Sequence, residues 1–562
     1  MRYGFYAVIL VWGAGTAIAS ASGTGPVAVW PLAEDANDSS GNNRHAENHG
    51  VQFGVPVPGS GLAARFDGRS AFLEVPDARV PVFGTGDFTV SLWVFTEAAL
   101  DDGLGDLVSQ YDPDTRTGFN LGLASYSGVT NSQPNDRNVF FGIDQGRCGA
   151  AWTDCGRPGN AIFVFGMAVH EGALYAATCE PEQGAAGHVY RYEGGTNWTD
   201  CGSPDGSNSV GSLAVFDGRL YAGTGWYDTT GSALDAAQNT TPGGKIYRYE
   251  GGTAWTYCGA LSNPETGEAA TMGGLGVYRG ALYATTLKQD GFGLYRYAGG
   301  TEWAYCGNPG RRVLNPFVFN GDLYMVSYDL PGGPIRYDGE TWAYVGAGID
   351  PPIHQDYAFA VYGGRLHLST WPQAHVYRME EGNAWTLCGR PGEELETMGM
   401  MVYNGKLYVG TLPSAQVYRY DGGSTWTPAG QSLDTSDNKY RRAWSMALYQ
   451  GKLFCGTLPS GKVLSLEAGK NVTYDHTLAP GWRHLVAVRQ GGHLHLYVDG
   501  DLAASSTAFE PASYDLSNGQ PLRIGFGQGD YFNGWMRSLC LYDRALSSDE
   551  VRARFMEEKP IE

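Results

Sequence analysis

The residues able to do chemistry stand out only where the sequence departs from its own regularities. Six arginines, Arg191, Arg248, Arg296, Arg336, Arg378 and Arg419, look at first like a cationic set for an anionic substrate. All six hold one position in a recurring Tyr-Arg-Tyr-type string, so they are expected to radiate around a ring, stacked on aromatics or pinning neighbours. The better candidates lie in loops that break the repeat. Arg311-Arg312, His354-Gln355-Asp356-Tyr357, Glu393 to Glu396 and Lys439-Tyr440-Arg441-Arg442 precede repeated strands, while Trp226-Tyr227-Asp228, Tyr328-Asp329 and Trp371 follow them. Aromatic side chains beside both signs of charge suit a sugar or a peptide. The ligand-binding candidates are therefore Trp226, Tyr227, Arg311, Arg312, His354, Asp356, Tyr357, Trp371, Tyr440, Arg441 and Arg442. If turnover takes place there, by a hydrolase or lyase acting on glycans, the first suspects are His354, Asp356, Tyr440 and Arg441.

Other chemistries lack their residues. No CxxC pair and no Cys/His cluster has zinc spacing. Glu34 and Asp35 are neighbours, and neighbours on a strand point to opposite faces, so they make a poor acid/base pair. The net charge of −20 argues against nucleic acid and against an anionic membrane surface. Beyond the N-terminus nothing is apolar over a length that spans a bilayer.

The elements that must position these loops are legible as repeats. Trp152, Trp198, Trp255, Trp303, Trp342, Trp385 and Trp426 recur every forty to sixty residues or so, and five of the nine cysteines sit in Trp-x-x-Cys-Gly. Between them "LAVFDGRLYAGT" (213–224), "LGVYRGALYATT" (275–286), "MMVYNGKLYVGT" (400–411) and "MALYQGKLFCGT" (446–457) repeat a strand, a Gly turn and a strand ending in Thr or its equivalent. A Tyr-Arg-Tyr strand and a Trp strand complete four short antiparallel strands, the pattern of a propeller blade. Seven three-strand groups and seven Trp strands predict a seven-bladed β-propeller closed by its first strand, at Trp152, which removes the open edge. "YDGGSTW" (420–426) resembles the Asp-box of sialidase-type propellers through Asp421, Gly423, Thr425 and Trp426, with a kelch-type propeller the alternative by period. Sialidase chemistry would need converging arginines, which the repeat denies.

The two flanks read as one further fold. "VAVWPLAEDANDSSGNNRHAENHGV" (27–51), "AARFDGRSAFLEVPDA" (63–78) and "GDFTVSLWVFTE" (86–97) precede the repeats; "GWRHLVAVRQGGHLHLYVDGDLAASS" (481–506) and "YFNGWMRSLCLYDRALSSDEV" (531–551) follow them. In this order they resemble the laminin-G-like, concanavalin A-like lectin/glucanase jelly roll. Leu494, Leu496 and Val498 alternate with polar neighbours before an Asp499-Gly500 hairpin turn, and Ser547 with Glu550 forms a capping box. The expected class is all-β: a jelly-roll sandwich over 25–146 and 468–556, interrupted by a propeller over 147–467. The resemblance implies carbohydrate recognition and directs attention to Ca²⁺, with Asp35 and Asp38 in "EDANDSSGN" as candidate ligands on a tight loop of hard oxygens. Arg537 stands where the family places an Asp that helps to hold the ion. The Glu-x-Asp-x-x-Glu string of glucanase relatives is absent.

Residues 1–21 read as a secretory signal, with Arg2, an apolar run from Tyr6 to Trp12 and small residues through Ala21. The expectation is a secreted, extracellular or periplasmic, non-catalytic protein that binds a glycan or an extracellular protein partner.

Overall fold

The computed structural model describes residues 25–57, 61–148 and 151–559; residues 1–21, expected to be a secretory signal, lie outside them. The described residues form β-strands almost throughout, with one α-helix, Ser548–Glu558. Its capping box is made: Ser547 Oγ accepts from the Glu550 N–H, and Glu550 accepts from the Ser547 N–H at 2.8 Å. The Asp499-Gly500 turn has φ of 52° and 87°, the left-handed geometry that a two-residue hairpin between His493–Val498 and Asp501–Ser505 requires.

Two sheets face each other across one core. The first runs Gln52–Val57, Gly61–Asp67, Asn533–Tyr542, Phe88–Thr96, Gly481–Gln490, His493–Val498, Asp501–Ser505; the second runs Glu47–His49, Phe72–Val75, Leu522–Ile524, Gly105–Asp112, Thr117–Tyr126, Asn135–Cys148, Ala468–Tyr474. Each draws strands from both flanks, because neither flank has enough strands to bury Trp30, Phe66, Phe88, Phe119, Phe141, Leu485 and Leu541. The intervening chain leaves and returns at one place, where Cys148 pairs with Ala468.

Between these points the repeats form a propeller-like ring, and its count differs from expectation. Five four-stranded sheets stand alone, not seven. The remaining eight strands, two Trp-ended meanders over Phe163–Asp200 and Ser209–Ala260, run together as one eight-stranded sheet. The reason is a single close approach, Cys179 pairing with Ser209, which joins the edges of adjacent inner strands. Thr153–Asp154, just after Trp152, pairs with Val463–Leu466 and supplies the outer strand of the last sheet.

Repeated residues hold the ring. The Trp198, Trp255, Trp303 and Trp426 indoles each donate at 2.8 Å to the carbonyl of Cys155, Cys201, Cys258 and Cys388 respectively, so each of these four is tied to the preceding repeat's Cys strand. Cys155, Cys201, Cys258 and Cys388 are buried thiols, and Cys179, Cys455 and Cys540 are also free. In several repeats a Thr near the end of the second strand donates to the carbonyl just before the third, as Thr370 does to His375 at 2.7 Å and Thr411 to Gln416 at 2.8 Å. The repeated arginines pair within their own strand, Arg191 with Glu193, Arg248 with Glu250, Arg378 with Glu380 and Arg419 with Asp421, and so do not pin neighbouring sheets. Asp421 of the Asp-box-like string is thereby occupied.

The sandwich covers one face of the ring. Turns between first and second strands touch it one after another: Arg279 N–H on Leu100, Asn320 N–H on Asp102, Gly363 N–H on Gln528 and Gln450 N–H on Asp475. The sandwich loop from Ser127 to Asn135 enters the ring's centre, with Ser127, Asn131, Gln133 and Asn135 hydrogen-bonded to the inner strands Leu314–Phe319, Met272–Tyr278, Ser209–Phe216 and Arg442–Tyr449.

Candidate functional site

The loops singled out in the sequence lie on the opposite face, and the structure brings only part of them together. Tyr227, Trp371 and Tyr440 pack with Tyr357 against Phe163, Phe165, Met398 and Trp444. Tyr227 meets Phe165 edge-on at 5.0 Å, and Tyr357 meets Trp444 at 6.2 Å. These aromatics come from several repeats of the ring and pack together where inner strands such as Phe163–His170, Gln355–Tyr362 and Arg442–Tyr449 approach one another. Arg442 donates to Ser232 Oγ at 2.7 Å, and Asn438 donates to the Ser232 and Ala233 carbonyls, so the long loop after Trp226 is strapped to the loop before Arg442. Trp226 itself carries Lys288 over its ring at 5.2 Å.

The other candidates are tied elsewhere. Arg312 grips Asp329 through Nε and Nη2 at 2.9 and 2.6 Å. Arg311 donates to the Pro331 carbonyl and lies over Tyr344, while Arg441 donates to the Pro413 and Asp434 carbonyls. His354 packs edge-on against Trp371 at 4.9 Å. Asp356 is fully buried and accepts from the Gly333 N–H at 3.1 Å; burial pushes its carboxyl up to about 7. Among the described residues no hydrogen bond or ion pair joins any two of His354, Asp356, Tyr440 and Arg441. Burial raises the Glu396 carboxyl, against the pull of Arg442 and the Tyr357 hydroxyl.

The calcium candidates are spent on local turns. Asp38 accepts from the Val29, Ser40 and Arg44 N–H groups, each at 2.9 Å, and from Ser40 Oγ. Burial raises its carboxyl, but these donors outweigh it and the net shift is downward. Asp35 is exposed and accepts from Asn37. Among the described residues no group of three His, Cys, Asp or Glu side chains is placed to hold a metal. Arg537 lies over Trp482 at 4.9 Å and donates to the Glu558 carbonyl, away from that loop.

A second group was missed by sequence reasoning. On the second sheet His49 stacks on Phe72 with ring centres 4.4 Å apart, and Phe526 stacks on Tyr531 at 4.1 Å. Phe72 and Phe526 are 5.5 Å apart, and Arg523, paired with Glu74, bridges over both. All are at least partly exposed. Beside them opens a polar cleft of about 360 Å³ lined by Gly50, Gln52, Arg65, Asp67, Arg69, Asp101, Asp102 and Asn533. The only signal in the sequence is that Phe72 and Phe526 are aromatic in flanks rich in such residues, and nothing local places them together.

Residues 419–552 match the concanavalin A-like lectin/glucanases superfamily. The match takes in Ala468–Tyr474 and the later sandwich strands, and begins inside a propeller strand, Val417–Gly422. No curated protein matches. Among solved structures the chain is similar to virginiamycin B lyase from Staphylococcus aureus with quinupristin, at 11% identity over 55% of this chain and 97% of that one, TM-score 0.43. It is similar to a GH74 xyloglucanase from Xanthomonas campestris at 17% identity over 60% and 59%, TM-score 0.40. A protein of unknown function from Bacteroides thetaiotaomicron spans 76% of this chain and 98% of its own at 13% identity, TM-score 0.33. At these scores the likenesses transfer no chemistry. Among the described residues no helix is long and apolar enough to cross a membrane.

Proposed function

We propose that this is a non-catalytic carbohydrate-binding protein, exported by residues 1–21, in which a sandwich of 25–146 and 468–556 carries the glycan site and a propeller of 147–467 is inserted as a rigid companion. The observation that carries the reading is the aromatic row His49, Phe72, Phe526 and Tyr531 beside a polar cleft. Sugars present apolar C–H faces that lie on aromatic rings and hydroxyls that need both donors and acceptors. Arg65 and Arg69 supply donors, Gln52 and Asn533 supply both donors and acceptors, and Asp101 supplies acceptors, while the Asp67 carboxylate is held in its own turn by Arg69, Ser70 and Ala71. The concanavalin A-like match to the C-terminal part of the sandwich agrees with this chemistry.

A glycan array with the whole protein tests the reading. Binding is expected to a defined class of oligosaccharide and to fall at least tenfold in Phe72→Ala and Phe526→Ala, each with an unchanged melting temperature. Absence of binding to any glycan, or full binding by both variants, overturns it. An enzyme at the ring's mouth is the less favoured alternative, since packed rings occupy the space a substrate needs there.

A further inference from the structure

A cavity of about 590 Å³ lies between the sandwich and the propeller, away from both the aromatic row and the ring's mouth. Its walls come from the sandwich segment 98–103, from Ser125 to Arg137 and Thr477, and from propeller turns at Val215–Gly218 and Val277–Gly280. Sites for small molecules have this size and favour such junctions between folding units.

The wall has an unbalanced chemistry. Most of it is apolar, through Ala98, Leu100, Val215, Phe216, Val277 and Pro480. Three carboxyl groups, Asp102, Asp136 and Asp217, face one guanidinium, Arg137. That guanidinium is already committed, with Nε on the Leu478 carbonyl, Nη1 on the Glu97 carbonyl, both at 2.8 Å, and Nη2 on Thr96 Oγ1. Asp136 receives only long bonds, from Thr477 Oγ1 at 3.4 Å and Gln133 Nε2 at 3.5 Å. Asp102 and Gln133, 5% and 6% exposed, each keep one buried side-chain oxygen with no donor. Burial pushes Asp136 up to about 6 even with Arg137 pulling the other way. A carboxylate in apolar surroundings is costly unless a cation or donor meets it, and the wall supplies neither in full.

We propose that this cavity is a binding site for a small organic ammonium ion, its apolar body against Leu100, Val215 and Phe216 and its N–H groups donating to Asp136. An anion would meet three carboxyl groups and a single guanidinium that already donates three of its five N–H groups to the protein. Asp102 borders both spaces, but Asp136, Leu100, Val215 and Phe216, which carry the ammonium contact, do not line the polar cleft.

Isothermal titration of the full chain with phenethylamine and cyclohexylamine tests it, with phenethyl alcohol and cyclohexanol as neutral counterparts. Saturable one-site binding of at least one amine is expected, at least tenfold tighter than its alcohol. Asp136→Asn should reduce amine binding at least tenfold while preserving the cavity's shape. Ala98→Trp, on an exposed loop position, should abolish it by filling the space, with folding checked by circular dichroism. Equal binding of alcohol and amine, full binding by Asp136→Asn, or no saturation by either amine up to about 10 mM overturns the proposal. Loss of glycan binding with amine binding intact, or the reverse, tells the two sites apart.

Discussion

The backbone N–H of Leu213 donates to Ser132 Oγ at 3.0 Å, although Leu213 belongs to an inner propeller strand and Ser132 to a loop of the sandwich. The bond lies at the centre of the ring, where the Ser127–Asn135 loop replaces what would otherwise be open channel. Asn135 does the same at another inner strand, donating to the Leu448 carbonyl at 2.8 Å and accepting from the Leu448 N–H at 2.9 Å.

Removing this plug should loosen the ring as well as the sandwich. Asn135→Ala leaves both backbone groups of Leu448 unpaired in a buried place, which costs about 1–3 kcal/mol for each group. Urea unfolding of the whole chain checks the cost, and hydrogen exchange should show faster opening at Leu448. A fragment of residues 147–467 alone should lack a cooperative melting transition.

Ring closure rests on Trp152. Its buried indole donates to the Ala429 carbonyl, and its backbone N–H to Gln431, across nearly the whole repeat array. Trp152→Ala is expected to cost about 3–5 kcal/mol, as a large buried ring leaves a void. Exchange protection should be lost first around Ala429 and Ser465, while the sandwich strands keep theirs.

The junction of the two folds should respond to pH with an unusual sign. Asp106 is half-buried beside Gly529, whose N–H it accepts at 2.7 Å; loss of solvent around the carboxyl pushes it up to about 7, with the Gly529 bond opposing. Between the ordinary carboxylate range and about 7 the folded chain holds a proton that the unfolded chain has lost, so stability falls as pH rises through that window. Asp106→Asn removes this dependence. In thermal melts from pH 4 to 8 the variant should gain on the wild type with rising pH, by at most about 1.4 kcal/mol per pH unit, and the difference should level off above about 7.

Asp38 has the opposite sign. Four donors hold its carboxyl below the ordinary range, so it stabilises the fold above that range and loses its contribution as pH falls through its own lowered value. Asp38→Ala should cost about 2–4 kcal/mol at neutral pH, as several N–H groups lose their acceptor. If the loop works as this turn, EDTA leaves the wild-type melting temperature unchanged; a calcium-dependent rise of several degrees would restore Asp38 as a metal ligand.

Much of the architecture could be read from the chain, because its causes are local or periodic. The Trp-x-x-Cys spacing recurs since one indole must reach one carbonyl in the preceding sheet, and the strand-Gly-strand phrase recurs since each hairpin needs the same turn. The number of separate sheets was not legible, as it turns on whether Cys179 and Ser209 come close enough to pair. The mouth loops are legible in the sequence as interruptions of the repeat, but that Tyr227, Tyr357, Trp371 and Tyr440 pack together is visible only in the structure.

By itself the sequence determined the all-β class, the repeat that builds the ring and the sandwich strands that flank it, since strand alternation and turn residues act over a few positions. Only the tertiary structure decided that a sandwich loop fills the ring, that Phe72 meets Phe526, and that Asp136 looks onto a cavity shared with Val215. Those juxtapositions join residues far apart in the chain, and the burial and hydrogen bonding that hold them exist only in the folded molecule.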